Sequence, residues 1–165
     1  MESLSPRIIV TGGTFDKVYD PIKGNLTFDT SHIETILKVG KVTPSPKIDI
    51  PFLVDSLEMT ETQRGEVISI AESCPENHIL ITHGTDTMID TAQQLLFTNI
   101  NKTIILTGAM TPFKLDHSDA TFNLGFAFAA CQCMKPGVYI AMNGQLFNPT
   151  NCVKDRSKGI FKEIN

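Results

Sequence analysis

Five short apolar runs punctuate the chain, at 7–11 (RIIVT), 48–54 (IDIPFLV), 78–82 (HILIT), 103–107 (TIILT) and 137–142 (GVYIAM). Four are continuous and rich in Ile and Val, the pattern of parallel strands covered by helices on both faces. Pro51 interrupts the second run and removes a ladder donor, which fits a strand at a sheet edge or one that begins late. Between the runs the apolar positions switch to helical spacing. Ser31 and Glu34 have capping-box spacing ahead of Ile33, Ile36 and Leu37, and Gly40 ends that segment. Thr60 and Gln63 repeat the box before Val67, Ile68 and Ala71. Met88, Ile89, Ala92, Leu95 and Leu96 share one face after Asp86, and Phe122, Phe126, Ala129, Ala130 and Cys133 share another in a helix over about 118–134.

The order β-α-β-α-β-α-β-α-β predicts an α/β fold: a doubly wound, mostly parallel sheet in three layers, flavodoxin-like, as a single domain over 1–165. Two connections are long, 12–30 and 109–117. Loops of that length in a compact domain are often functional, and Pro21 and Gly24 would permit the first to close as a lid.

Composition narrows the classes. With 41% hydrophobic and 19% charged residues the chain reads as globular, and a net charge of −4 gives no electrostatic case for nucleic acid or an anionic membrane. No run reaches the apolar length of a membrane span, and Met1–Pro6 lacks the charged-then-apolar pattern of a leader. Cys74, Cys131, Cys133 and Cys152 fit no zinc or CxxC spacing, so reduced thiols in a cytoplasmic protein are expected, with Cys131 and Cys133 packed in the core. Neither a metal nor a cofactor is expected.

Ligands of open α/β sheets bind outside the carboxyl ends of the strands. There the chain places Thr11-Gly12-Gly13-Thr14, Asp55-Ser56, His83-Gly84-Thr85-Asp86, Gly108-Ala109-Met110 and Asn143-Gly144. Glycines allow close backbone approach, and free N–H groups near Thr14 and Thr85 suit a developing oxyanion. GxGxxG and GxxxxGK[ST] are both absent. Simpler roles exist for each residue. Gly12-Gly13 reads equally as a tight turn, Thr85 and Asp86 as helix caps, His83 as a hydrogen-bonded core histidine, and Tyr19 and Lys154 as exposed side chains.

Taken together, these segments resemble the bacterial-type L-asparaginases. Ile8-Ile9-Val10-Thr11-Gly12-Gly13-Thr14 resembles the first signature of that family and Ile81-Thr82-His83-Gly84-Thr85-Asp86-Thr87-Met88 the second. Asp55–Thr60, Leu106–Met110, Ser118–Leu124 and Val138–Asn143 follow in the family's order. The resemblance implies Thr14 as primary nucleophile, Tyr19 as the tyrosine contacting it, and Thr85, Asp86 and Lys154 as the second threonine, the acid and its lysine. It implies Ser56, Gly84 and Ala109 on the substrate side, with Ser56 at its α-carboxylate. The chain is similar to single-domain short members; full-length members are roughly twice as long, with a smaller C-terminal domain that adds an acidic residue across a subunit interface. Leu57 stands where a polar residue often holds substrate.

The implied function is hydrolysis of L-asparagine to L-aspartate and ammonia by a homo-oligomer, a dimer or tetramer. The alternatives are a non-catalytic asparagine- or aspartate-binding module, or an amidase for glutamine or a larger amide. Thr14 would attack the amide, activated through Tyr19, while Thr85, Lys154 and Asp86 handle the proton or the water. Tyrosine and lysine titrate ordinarily near about 10 and about 10.4, so either must be depressed to act as a base near neutrality.

Overall fold

In the computed structural model, which describes residues 5–165, β1 (Arg7–Val10) lies inside a six-stranded sheet. Part of the stretch read for a leader, residues 1–4, lies outside the described residues. β1 runs parallel to β4 (Ile48–Asp49) on one side and β5 (His78–Thr82) on the other. β6 (Thr103–Thr107) and β7 (Gly137–Met142) continue the parallel ladder, and β8 (Gln145–Phe147) closes it antiparallel to β7. The order is β4-β1-β5-β6-β7-β8, so chain progression reverses direction beside β1. The crevice at the carboxyl ends of β1 and β5 is therefore the switch point where ligands bind in such sheets.

Side chains alternate between the two faces. Ile9, Ile79, Ile81 and Ile104 bury against α2 (Glu61–Ser73) and α3 (Met88–Phe97). Ile8, Leu80 and Ile105 bury on the other face against α1 (Ile33–Val39) and α4 (Ala120–Cys133). The three layers match the sequence expectation, with differences that have physical causes.

The 48–54 run pairs only at Ile48 and Asp49; after Pro51 the chain rejoins the sheet edge through a single bridge from Val54 to Gly12. The strand lies at the edge but ends early, rather than beginning late, because proline cannot continue the ladder. The expected box at Ser31 and Glu34 does not form. His32 occupies the N-cap, Ser31 Oγ accepts only from Ile33 N (3.3 Å), and Glu34 pairs with Lys38 instead. The Thr60–Gln63 box does form: Gln63 N donates to Thr60 Oγ1 (3.2 Å) and Thr60 N to Gln63 Oε1 (2.9 Å).

α4 buries Ala120, Asn123, Leu124, Ala127 and Cys131, not the expected face; Phe122 is 64% exposed, and Ala129 and Cys133 are also exposed. Apolar residues surround this helix, so their periodicity selects no face. The small residues Ala120 and Ala127 turn inward, where they allow the helix to approach the sheet.

The 12–30 connection is not an irregular loop. A 3-10 turn (Thr14–Asp16) leads into a hairpin of β2 (Lys17–Asp20) and β3 (Asn25–Phe28). A second hairpin after the sheet, β9 (Cys152–Asp155) and β10 (Ile160–Glu163), inserts Phe161 into the core against Phe147.

Candidate active site

Two neighbouring central strands deliver the two Gly-Thr turns. β1 pairs with β5 up to Val10 opposite Thr82, so Gly13-Thr14 and Gly84-Thr85 leave the sheet side by side. Gly12 (φ +98°) and Gly13 (φ +68°) adopt left-handed backbone that favours glycine. Their packing adds a second requirement. A β-carbon on Gly13 would lie 2.4 Å from Gly84 Cα, and one on Gly12 would lie 2.6 Å from Val54 N. The turn thus serves close approach as well as chain reversal. Gly13→Ala is expected to cost about 3 kcal/mol or more from backbone strain plus overpacking, read as a lower urea midpoint. An unchanged midpoint would show that the two turns can separate freely.

Thr85 is buried and Asp86 half-buried at the start of the loop into α3. Neither caps that helix; Thr87 occupies the N-cap without a side-chain capping bond. Instead both face the β9–β10 hairpin. Lys154 Nζ donates to Thr85 Oγ1 (2.7 Å) and to Asp86 Oδ1 (3.0 Å), so Lys154 is not a free surface lysine. Arg156 donates to the same Asp86 oxygen. Thr85 Oγ1 lies 3.8 Å from Met110 Sδ.

Thr14 is half-buried, at the start of the 3-10 turn. Among the described residues its hydroxyl has no hydrogen-bond partner, and neither do the backbone N–H groups of Thr14 and Thr85. The N–H of Gly13 is already used by Val54 O at 2.9 Å. Tyr19 sits on β2 opposite Leu26, 56% exposed, with no hydrogen bond to Thr14 among the described residues. Ser56 is buried beneath Gly84, where a β-carbon on that glycine would lie 2.5 Å from Ser56 Oγ, and Thr87 Oγ1 donates to Ser56 O (2.9 Å). Ala109 is buried at the end of β6. Thr85, Asp86 and Lys154 are thus in direct contact. Gly84 packs on Ser56, and Tyr19 has no hydrogen bond to any of these residues.

Several residues at this edge have contacts to which the sequence assigned no role. Lys17 forms an ion pair with Asp55. Burial pulls the Asp55 carboxyl up, but the bound Lys17 ammonium, the Leu57 N–H and the charge of Lys154 outweigh it and hold the group below the ordinary carboxylate range. Asp119 accepts from Met110 N, Thr111 N and Asn123 Nδ2, each at 3.0 Å, pinning the 109–117 connection. Asn123 also donates to Gly108 O (3.0 Å) and accepts from Asn143 N (3.3 Å), while Asn143 Oδ1 accepts from Phe161 N (2.8 Å). Phe161 pairs with Lys154 across the hairpin, so this network reaches the lysine through backbone. A lone Asn four residues after an Asp, on an otherwise apolar helix, was the available signal.

Beside Thr14, Asp16 is fully buried; Oδ1 accepts from His32 N (2.8 Å) and Oδ2 has no partner among the described residues. Burial pushes its carboxyl up to about 6, against the bonds from His32 and Ser31. Between about pH 4 and 6 the folded chain holds a proton the unfolded chain has released, so stability contributed by this group falls as pH rises through that window. The loss is about 3 kcal/mol at neutral pH. Asp16→Asn is expected to flatten that slope, with its melting temperature gaining on wild type from pH 4 to pH 7. A constant difference across that range would mean the carboxyl titrates normally.

No helix among the described residues is long and apolar enough to cross a membrane. The chain is similar to known proteins. An L-asparaginase of Thermococcus kodakarensis is 38% identical over 91 residues, which cover 53% of this chain and 28% of that protein. The human 60 kDa lysophospholipase is 34% identical over 110 residues, 62% of this chain and 19% of its own length. The solved structure of the thermostable L-asparaginase from Thermococcus kodakarensis superposes with a TM-score of 0.75 at 27% identity, covering 96% of this chain and 50% of that one. This chain therefore spans about half the length of that solved relative. Since the family described as Asparaginase, N-terminal matches residues 7–162, the chain belongs to the asparaginase family and corresponds to its N-terminal domain.

Proposed function

We propose that this chain is an L-asparaginase-type amidohydrolase, releasing ammonia and L-aspartate from L-asparagine through a threonine ester. The observation that carries it is the contact of Lys154 with both Thr85 and Asp86 beside the packed Gly13 and Gly84 turns. Thr14 Oγ attacks the amide carbon, and its proton passes through Tyr19, which the β2–β3 hairpin must bring closer. The tetrahedral oxyanion rests on the free N–H groups of Thr14 and Thr85. The C–N bond breaks as the nitrogen takes a proton, and ammonia leaves. Water, oriented by Thr85, Lys154 and Asp86, then cleaves the ester, releasing aspartate and restoring the Thr14 hydroxyl. Ser56 holds the α-carboxylate, with Gly84 and Ala109 lining the same end.

One observation favours a second order of events. Thr85 already touches an amine and Thr14 bonds to no base among the described residues, so Thr85 could attack first with Lys154 as its base. Digestion and mass analysis after acid quench place the acyl group on the peptide containing Thr14 or the one containing Thr85. A relative similar over 62% of this chain is named for another hydrolysis, as a lysophospholipase, which keeps a larger substrate as the alternative. The protein is proposed to act in the cytoplasm as a homo-oligomer, checked by light scattering. The deciding experiment is ammonia release from L-asparagine, L-glutamine and larger amides. Release that depends on asparagine supports the proposal, and aspartate binding without release from any amide supports a binding module instead.

A further inference from the structure

We propose that His83, held as its neutral Nδ1–H tautomer by Thr91 and Arg64, is a positioning residue that aims the Thr85 backbone N–H at the oxyanion. This rests on the amidohydrolase reading above. His83 is fully buried at the end of β5, and the mechanism leaves it unused. Its Nδ1 lies 2.9 Å from Gly84 O, and its Nε2 lies 2.8 Å from Thr91 Oγ1 on α3. Arg64 on α2, itself buried, bonds the same Thr91 oxygen and reaches Glu61 Oε1 at 3.2 Å.

The direction of each bond follows from chemistry. A carbonyl oxygen only accepts, so Nδ1 carries the proton that faces Gly84 O. Burial pulls the imidazole down to about 4, so the ring is neutral near neutrality and Nε2 has no proton. Nε2 therefore accepts from Thr91 O–H. Thr91 is free to donate there because the Arg64 guanidinium, which only donates, takes an oxygen lone pair. The bonds run one way, from Arg64 to Thr91 to His83 to Gly84 O.

The consequence lies in the next peptide plane. The Gly84–Thr85 bond is trans, the cis bond in the described chain being Thr43–Pro44. In a trans unit C=O and N–H point in opposite directions. Holding the Gly84 carbonyl on the buried imidazole turns the Thr85 N–H away from the α2–α3 layer, into the crevice beside Thr14. That N–H has no partner among the described residues.

Long-range 1H–15N spectra read the tautomer directly, with no need for turnover. A protonated Nδ1 and bare Nε2 are expected; a protonated Nε2 overturns the proposal. L-Aspartate is expected to shift the Thr85 amide resonance in wild type and in His83→Asn, whose amide NH₂ reproduces Nδ1–H, but not in His83→Gln, which reaches the Nε2 position. Ammonia kinetics should follow the same split. His83→Gln is expected to lose about 100-fold in kcat with KM nearly unchanged, as for loss of one oxyanion donor, while His83→Asn recovers most of it. Equal behaviour of the two variants, with both folded by circular dichroism, overturns the proposal, since a packing role would not tell the two nitrogens apart. A Thr85 shift without ammonia release in wild type would sink the amidohydrolase reading, and with it the oxyanion, and leave His83 aiming the Thr85 N–H at a bound ligand only.

Discussion

Thr14→Ala is expected to lower ammonia release from L-asparagine by at least about 10³-fold in kcat, with little change in melting temperature. The two parts of that expectation have separate causes. Without the hydroxyl no ester forms, so turnover loses its covalent path. Stability changes little because the hydroxyl makes no hydrogen bond among the described residues, so its loss orphans no buried partner. The residue is also only half-buried, which limits any cavity. Thr14→Ser keeps the nucleophile and is expected to stay within about tenfold of wild type, as the retained hydroxyl still supports covalent catalysis. A folded Thr14→Ala protein with unchanged release would transfer the nucleophile to Thr85, where Lys154 already waits.

Lys154→Met is the second large effect, a loss of about 10²–10⁴ in kcat, the range for removal of a positioned acid–base group. Charge alone does not explain the expected loss, and Lys154→Arg tests this. Arginine keeps the cation near Asp86 but cannot give up its proton in a protein. It is therefore expected to be about as slow as Met. Wild-type rates in Lys154→Arg would reduce the lysine to an electrostatic role. Both variants should fold, because Arg156 remains on Asp86 to offset its charge.

The parallel strands and the two Gly-Thr turns were legible because buried strands must be apolar and turns whose backbones pack this closely need glycine. The box at Thr60 was legible for the same kind of reason: both partners lie within one helical turn. Ser31 and Glu34 had the same spacing, but tertiary contacts decided otherwise. Asp16, sixteen positions away in sequence, takes the His32 N–H and the helix starts on that anchor. The face of α4 was illegible because its residues are apolar on nearly every side and only shape distinguishes them. The two hairpins were missed for lack of a strong turn pair flanked by clean alternation. With them went the geometric basis for placing Lys154 and Tyr19, whose assignment rested on resemblance alone. Nothing in the sequence singles out Lys17 or Arg156; only the fold brings Asp55 and Asp86 to them.

The site draws its parts from regions of unequal resistance to local opening. The turns bearing Thr14 and Thr85 hang from β1 and β5, interior strands with ladder partners on both sides and side chains buried in both layers. Lys154 hangs from a two-stranded ribbon outside that sheet, and Tyr19 from another. Amide exchange should therefore be slowest at Ile9 and Ile81 and much faster at Val18 and Val153, following the order in which cooperative units open. Mild denaturant would then release Lys154 and Tyr19 while the turns bearing Thr14 and Thr85 stayed packed side by side. An early fall in turnover, ahead of any loss of β-sheet signal, would follow, reversible on dilution.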